Sequence, residues 1–205
     1  MERDTRRFPP ERRHVLRSED RRRQMDPEGL LNGYVKPGLT VVEIGAGTGF
    51  WTETLSSLVG DSGTVYAVDV EPIMLEELRT LIREQGLTNV KVVASQAIAV
   101  PLRDHIADVA FLGFVLHELA EPIAFLREVV RLIKPGGTVL VADWHKRQTA
   151  QGPHVSERLS REEAQALLGA VGLTVSEAAA PSEDMYVLTA REFRPNDPEM
   201  TTPTV

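Results

Sequence analysis

No cysteine occurs in the 205 residues. That excludes disulfides, thiolate metal sites and a cysteine nucleophile, and it leaves the redox compartment unreadable. Long apolar runs are missing as well: none approaches the ~20 residues needed to cross a bilayer, so no membrane span is expected. The N-terminus is rich in arginine but has no apolar stretch behind it, which argues against a secretory signal and makes the cytoplasm the default expectation. No internal repeat is present. At 42% hydrophobic and 26% charged, the composition is that of one globular domain with a proper core and no room for a second.

Charge is unevenly spread. The net value is −7, yet residues 1–24 carry nine arginines against five acids, about +4, which leaves the remainder near −11. A basic arm on an acidic body reads first as an arm that pairs with its own domain. A nucleic-acid contact is the alternative, and an acidic body is a poor phosphate track. Such an arm also suits packing across a symmetric partner, so a homodimer stays open.

The most informative stretch is Val41-Val-Glu-Ile-Gly-Ala-Gly-Thr-Gly-Phe50, followed by Asp69 at the end of a second apolar run, Val65-Tyr-Ala-Val-Asp69. An apolar strand, a glycine turn and a helix bring backbone close to a ligand, and the acid that ends the next strand lies where a nucleoside ribose sits in doubly wound sheets. The glycines fall at 45, 47 and 49, not in the Gly-x-Gly-x-x-Gly spacing that cradles a dinucleotide pyrophosphate. Glu43 stands two residues before the first of them. Its charge disfavours a pyrophosphate and favours an ammonium or sulfonium group.

Periodicity switches repeatedly between strand-like and helix-like, the mark of an alternating α/β sheet. Strands are expected at 40–44, 64–69, 90–94, 107–115, 138–142, 173–177 and 186–191. Helices are expected over 26–34, 49–59, from Pro72 to Gly86, over 122–133, and after the capping box Ser160-Arg-Glu-Glu163. Lys134-Pro-Gly-Gly137 is expected to end one helix and launch the fifth strand, and the tail from Phe193 to be disordered.

Five blocks in order, Glu43 to Gly49, Ala67 to Met74, Ala97 to Leu102, Asp108 to Leu119 and Arg127 to Gly137, resemble the class I S-adenosylmethionine-dependent methyltransferases. The resemblance is in particular to the small bacterial enzymes related to the quinone-biosynthesis methyltransferases. The resemblance covers residues 25–192, with 1–24 as an arm and 193–205 as a tail. It implies a seven-stranded Rossmann-like sheet of order 3-2-1-4-5-7-6 with the seventh strand antiparallel. It also implies S-adenosyl-L-methionine as cofactor, S-adenosyl-L-homocysteine as product and a small-molecule acceptor.

In such sheets ligands sit outside the carboxyl ends of the strands. The resemblance gives Glu43, Gly45, Ala46 and Gly47 the methionine portion, and Asp69 with Val70 the ribose. Met74 falls where an apolar side chain rests on the adenine, and plain core packing is its other reading. Gln96 stands where relatives place an aspartate for the adenine amino group; its amide oxygen accepts the same bond without charge. Ala97 offers only a backbone amide to the ring, and Phe114 lies where cofactor and acceptor meet. His117 is the candidate base for a protonated acceptor, with a structural or capping role as its alternative. Asp104, His117, Glu118, Asp143 and His145 form a conceivable metal cluster, but no tight ligand spacing supports it and no metal is expected. Trp144, His145, His154 and Tyr186 are expected around the acceptor.

A nicotinamide oxidoreductase lacks support, since Tyr34, Tyr66 and Tyr186 have no lysine four residues on. A cofactor-binding protein without turnover remains compatible with the motifs. Nucleic-acid methylation has only the basic arm in its favour: no Asn-Pro-Pro-Tyr or Asp-Pro-Pro-Tyr segment follows the fourth strand to hold a flipped base.

Overall fold

The computed structural model describes residues 17–149 and 151–192, together with Glu11. The expected tail from Phe193 and most of the arm before Arg17 lie outside the described residues.

Seven strands, β1 (Thr40–Ile44), β2 (Thr64–Asp69), β3 (Val90–Ala94), β4 (Ala107–Gly113), β5 (Ile133–Trp144), β6 (Leu173–Ala178) and β7 (Met185–Glu192), form one sheet of order β3-β2-β1-β4-β5-β7-β6. The first five run parallel, and β7 is antiparallel to β5 and β6. Order and polarity are those the resemblance implied. Central strands are apolar almost without interruption because helices cover both faces. Val41, Phe111 and Leu140 face one layer with Met25, Leu31, Leu55 and Leu78. Val42, Leu112 and Val141 face the other with Leu126, Leu132 and Leu168.

The helices are α1 (Glu19–Met25), α2 (Pro27–Leu31), α3 (Thr52–Val59), α4 (Pro72–Gln85), α5 (Pro122–Leu132) and α6 (Arg161–Gly169). Proline at the first turn of α2, α4 and α5 presets the backbone where no amide partner is needed. Ser160 and Glu163 close a reciprocal cap on α6: Ser160 Oγ accepts from the Glu163 amide at 3.1 Å, and Glu163 Oε2 from the Ser160 amide at 2.6 Å.

Three boundaries depart from the sequence expectation. Helix α3 begins at Thr52, because residues 45–51 spend themselves on the glycine turn. Strand β5 begins at Ile133 rather than Thr138: Ile133 pairs with Ala107 and Thr138 with Val109, so Lys134 to Gly137 loop out of the ladder as a bulge. Strand β4 stops at Gly113, since Phe114 takes a left-handed φ of 60° and turns the chain into a 3-10 turn at Leu116–Glu118. A non-glycine residue held there is strained and needs surrounding contacts to keep it.

The arm is tied down from Arg17 on. Arg17 and Arg22 pair with Glu53 of α3, Gln24 Nε2 donates to Asp184 at 3.2 Å, and Met25 is fully buried. Asp26, at φ 37°, turns α1 into α2 and accepts the Gly29 amide at 3.1 Å. No helix among the described residues is long and apolar enough to cross a membrane.

Candidate active site

The carboxyl ends of β1, β2, β4 and β5 open on a cavity of about 740 Å3. Gly45, Ala46, Gly47, Asp69, Val70, Met74, Ala97, Phe114 and His117 line it; Glu43 and Gln96 do not.

The glycine turn is shaped for close approach. Gly45 and Gly47 have φ of 68° and 54°, and a Cβ on Gly45 would fall 2.3 Å from Val115 Cγ2. Asp69 ends β2 against this turn: Oδ2 accepts the Gly47 amide at 2.7 Å and Oδ1 the Glu71 amide at 2.9 Å. The two oxygens offer about four acceptor sites between them, which these amides do not exhaust. Burial raises the Asp69 pKa, the amides of Glu71 and Gly47 oppose it, and the Glu71 charge adds to the rise. Thr48 Oγ1, also in the cavity wall, is buried with no partner among the described residues.

Glu43 lies beneath the turn, 1% exposed. Oε2 accepts from Thr52 Oγ1 at 2.6 Å, while Oε1 is buried without a partner among the described residues. Burial is the main cause that pushes its pKa up to about 8; Thr52 opposes and Asp69 adds.

Gln96 points away. The Gln96 amide donates to Ala99 O at 3.0 Å in a tight loop that turns the side chain to solvent, and Ser95, Ala97 and Ile98 form the wall in its place. Ile98 is one of only two large apolar side chains exposed among the described residues, at 45%. With Met74, 4% exposed, it makes the apolar lining on this side.

His117 sits across the cavity. Its Nδ1 is 2.7 Å from Asp143 Oδ1, and its backbone amide donates to Asp143 Oδ2 at 3.2 Å. Asp143 is 1% exposed and also accepts the Trp144 amide at 2.8 Å. Burial acts to lower the His117 pKa, but the charge and hydrogen bond of Asp143, with Glu118 and Glu157 behind them, raise it above the ordinary value. With Nδ1 committed to Asp143, Nε2, 3.9 Å from Glu118 Oε1, is the nitrogen left to exchange a proton. Residue spacing named His117, but its partner 26 residues on is visible only once β4 and β5 lie side by side.

The rest of the expected polar cluster is dispersed. Asp104 is 2.5 Å from Arg131 Nη1, on a loop at the other end of the sheet. His145 stacks edge-on with Tyr186, ring centroids 5.5 Å apart, and neither lines the cavity. Tyr186 pairs with Asp143 in the ladder but its side chain enters the core, where burial raises its pKa. No group of three His, Asp or Glu side chains among the described residues is placed to hold a metal.

Trp144 and His154 do line the cavity. Trp144 stacks on Phe114 at 4.6 Å, and the Arg158 guanidinium lies 5.5 Å over its ring. Arg158 donates to the carbonyls of His145, Arg147, Gln151 and Pro153, which fixes the loop that brings Gly152, His154 and Glu157 over the cavity. The opposite cover comes from the arm, whose Ser18, Asp20 and Arg21 reach the same space. Sequence reasoning missed these three, because an arginine run carries no signal for which member turns inward.

A profile of the ubiE/COQ5 methyltransferase family matches residues 29–155, more than half of the chain. The Ubiquinone/menaquinone biosynthesis C-methyltransferase UbiE of Shewanella oneidensis is 38% identical over 114 residues, 55% of this chain and 45% of that protein. The chain thus spans less than half the length of the curated relatives it matches. Among solved structures, a SAM dependent methyltransferase from Aquifex aeolicus superposes with a TM-score of 0.87 at 33% identity, over 90% of this chain and 98% of that one. The mitomycin 7-O-methyltransferase MmcR shares the fold alone, at TM-score 0.66 and 20% identity, over 82% of this chain and 54% of that one.

Proposed function

Because the chain belongs to the ubiE/COQ5 methyltransferase family, we propose that it is an S-adenosylmethionine-dependent methyltransferase acting on a small molecule. The observation that carries this reading is the pairing, in one cavity, of the Asp69–Gly47 corner with the His117–Asp143 dyad.

The residues fit an adenosyl cofactor. Asp69 accepts the ribose hydroxyls, Met74 and Ile98 enclose the base, and the backbone of the Gly45–Gly47 turn in the cavity wall meets the amino-acid end. Bound S-adenosylmethionine supplies a methyl group already activated on sulfur. This chain's own task is to align the acceptor, exclude water and handle one proton.

The acceptor we propose is an aromatic hydroquinone, a class that suits relatives named for C-methylation in ubiquinone/menaquinone biosynthesis. Phe114, Val115 and Trp144 give it apolar walls. His117 Nε2 takes the phenolic proton, which turns the ring carbon beside that oxygen into a nucleophile. Asp143 holds the ring by Nδ1 and stabilises the imidazolium that forms. The new C–C bond forms as the methyl–sulfur bond breaks and S-adenosylhomocysteine leaves; the methylated carbon then loses its proton to water, the imidazolium returns its own to the ring oxygen, and aromaticity is restored with one proton released.

Residues 25–192 form the catalytic unit in this reading, with the arm as its cover and not a nucleic-acid arm. A cytoplasmic location and a homodimer are part of the same proposal. The test is transfer of labelled methyl from S-adenosylmethionine to a reduced demethylated quinone, with the oxidised quinone as control. Label in the hydroquinone alone supports the reading. Label in neither, from protein that binds the cofactor, overturns the acceptor assignment.

A further inference from the structure

Six carboxylates line the cavity, those of Asp20, Asp69, Glu71, Glu118, Glu121 and Glu157, against a single arginine, Arg21. Arg21 is unlike its neighbours in the arginine run. Arg22 pairs with Glu53 and Arg23 with Asp20, and both arginines are open to solvent. Arg21 makes no ion pair among the described residues, and its Nε is buried without a hydrogen-bond partner. Its guanidinium lies 5.1 Å from the centroid of Phe50 and 5.2 Å from that of Phe114. Stacking on two rings holds the planar group in place but leaves its five donors unspent. Burial, with no carboxylate to offset it, lowers its pKa to about 10, so it is still charged near neutrality.

We infer that Arg21 is the carboxylate receptor of this cavity, a fork held ready between Phe50 and Phe114 for a ligand's anionic group. The identity of the ligands rests on the functional reading above. A planar guanidinium matches a carboxylate through two parallel hydrogen bonds, which a lysine ammonium cannot reproduce. Two ligands bring such a group to this place: the amino-acid end of the adenosyl cofactor, and an acceptor that carries a carboxylate on its ring. The arm, fixed to α3 through Glu53 and to the core through Met25, thereby makes cover and recognition one element.

Arg21→Met and Arg21→Lys test this by calorimetry, with thermal melting of each variant to show that it folds. One arm titrates S-adenosylhomocysteine against 5′-methylthioadenosine, which lacks the amino-acid end. The other titrates 4-hydroxybenzoate against 4-hydroxybenzamide. If the cofactor supplies the carboxylate, Arg21→Met binds S-adenosylhomocysteine at least tenfold more weakly, 5′-methylthioadenosine is unaffected, and lysine restores only part. If the acceptor supplies it, Arg21→Met leaves S-adenosylhomocysteine unchanged and abolishes a tenfold preference for benzoate over benzamide. Wild-type affinities of Arg21→Met for all four compounds overturn the inference. Should the wild-type protein bind neither adenosyl compound, the functional reading fails, and the benzoate arm decides the role of Arg21 by itself.

Discussion

At the amino ends of the parallel strands the charges are matched. Asp108 on β4 accepts from Lys134 Nζ at 2.7 and 2.8 Å and from the Thr40 amide at 2.9 Å. Arg131 on α5 meets Glu128 and Asp104 and donates to the carbonyls of Val100 and Leu102. There hydrogen bonds dominate: Arg131 holds Glu128 below the usual carboxylate range, and Glu128 with Asp104 holds Arg131 above its own. At the carboxyl ends burial dominates instead, and it pushes Glu43 up to about 8 and Arg21 down to about 10. One end is built of polar groups that satisfy each other; the other keeps groups short of a partner, with Glu43 Oε1, Thr48 Oγ1 and Arg21 Nε all orphaned among the described residues. The difference separates stability from function, since perturbed groups gathered in a cleft are costly unless a ligand uses them.

Breaking the cavity end should hurt turnover most. His117→Ala is expected to lower turnover by about 10²–10⁴-fold, the usual scale for a positioned base, while S-adenosylhomocysteine affinity stays as in the wild type. Asp143→Asn sharpens this. The native His117 pKa is raised by Asp143, so activity that needs the neutral imidazole is lost as pH falls through a value above the ordinary one. Removing the Asp143 charge should move that acid limb to lower pH; a pH–rate profile that does not move would contradict the dyad.

Next in size, Asp69→Ala should weaken S-adenosylhomocysteine binding by roughly 1.5–3 kcal/mol, the scale for hydrogen bonds to a charged group. Asp108→Ala is the mirror experiment at the amino end. It should cost about 1–2 kcal/mol of stability in denaturant unfolding, discounted because Lys134 is partly exposed, and leave ligand affinity alone. A binding defect in Asp108→Ala as large as in Asp69→Ala would dissolve the contrast between the ends.

The smallest effect concerns Glu43. A folded pKa of about 8, above the unfolded carboxylate value, means that the native state holds a proton the unfolded chain has released. Its stabilising share is complete below about pH 4.5 and is lost as pH rises through about 8. The melting temperature of the ligand-free protein should therefore fall more between pH 5 and 8 in the wild type than in Glu43→Gln. Equal slopes would place the Glu43 pKa at its ordinary value.

The strands themselves were legible in apolar periodicity and the cavity's position in the glycine turn, whereas strand order and polarity came from the family resemblance. Asp69 and His117 stood out as polar residues at strand ends and Met74 through the resemblance, and all three line the cavity. What stayed hidden depends on tertiary packing. The side chain of Gln96 turns outward because a local amide bond to Ala99 sets the loop, and no spacing rule encodes that. The bulge at Lys134 to Gly137 looked like a helix stop, since Pro-Gly-Gly serves either purpose. Arg21 was one of nine arginines in the first 24 residues until two aromatic rings from distant segments singled it out.

The most direct test is thermal melting of the full chain with S-adenosylmethionine, S-adenosylhomocysteine, NADH and NADPH in parallel, since a ligand that binds only the native state stabilises it. The account predicts a rise in Tm with the two adenosyl compounds and none with the nicotinamides. A rise with a nicotinamide nucleotide alone, or with none of the four, would contradict it.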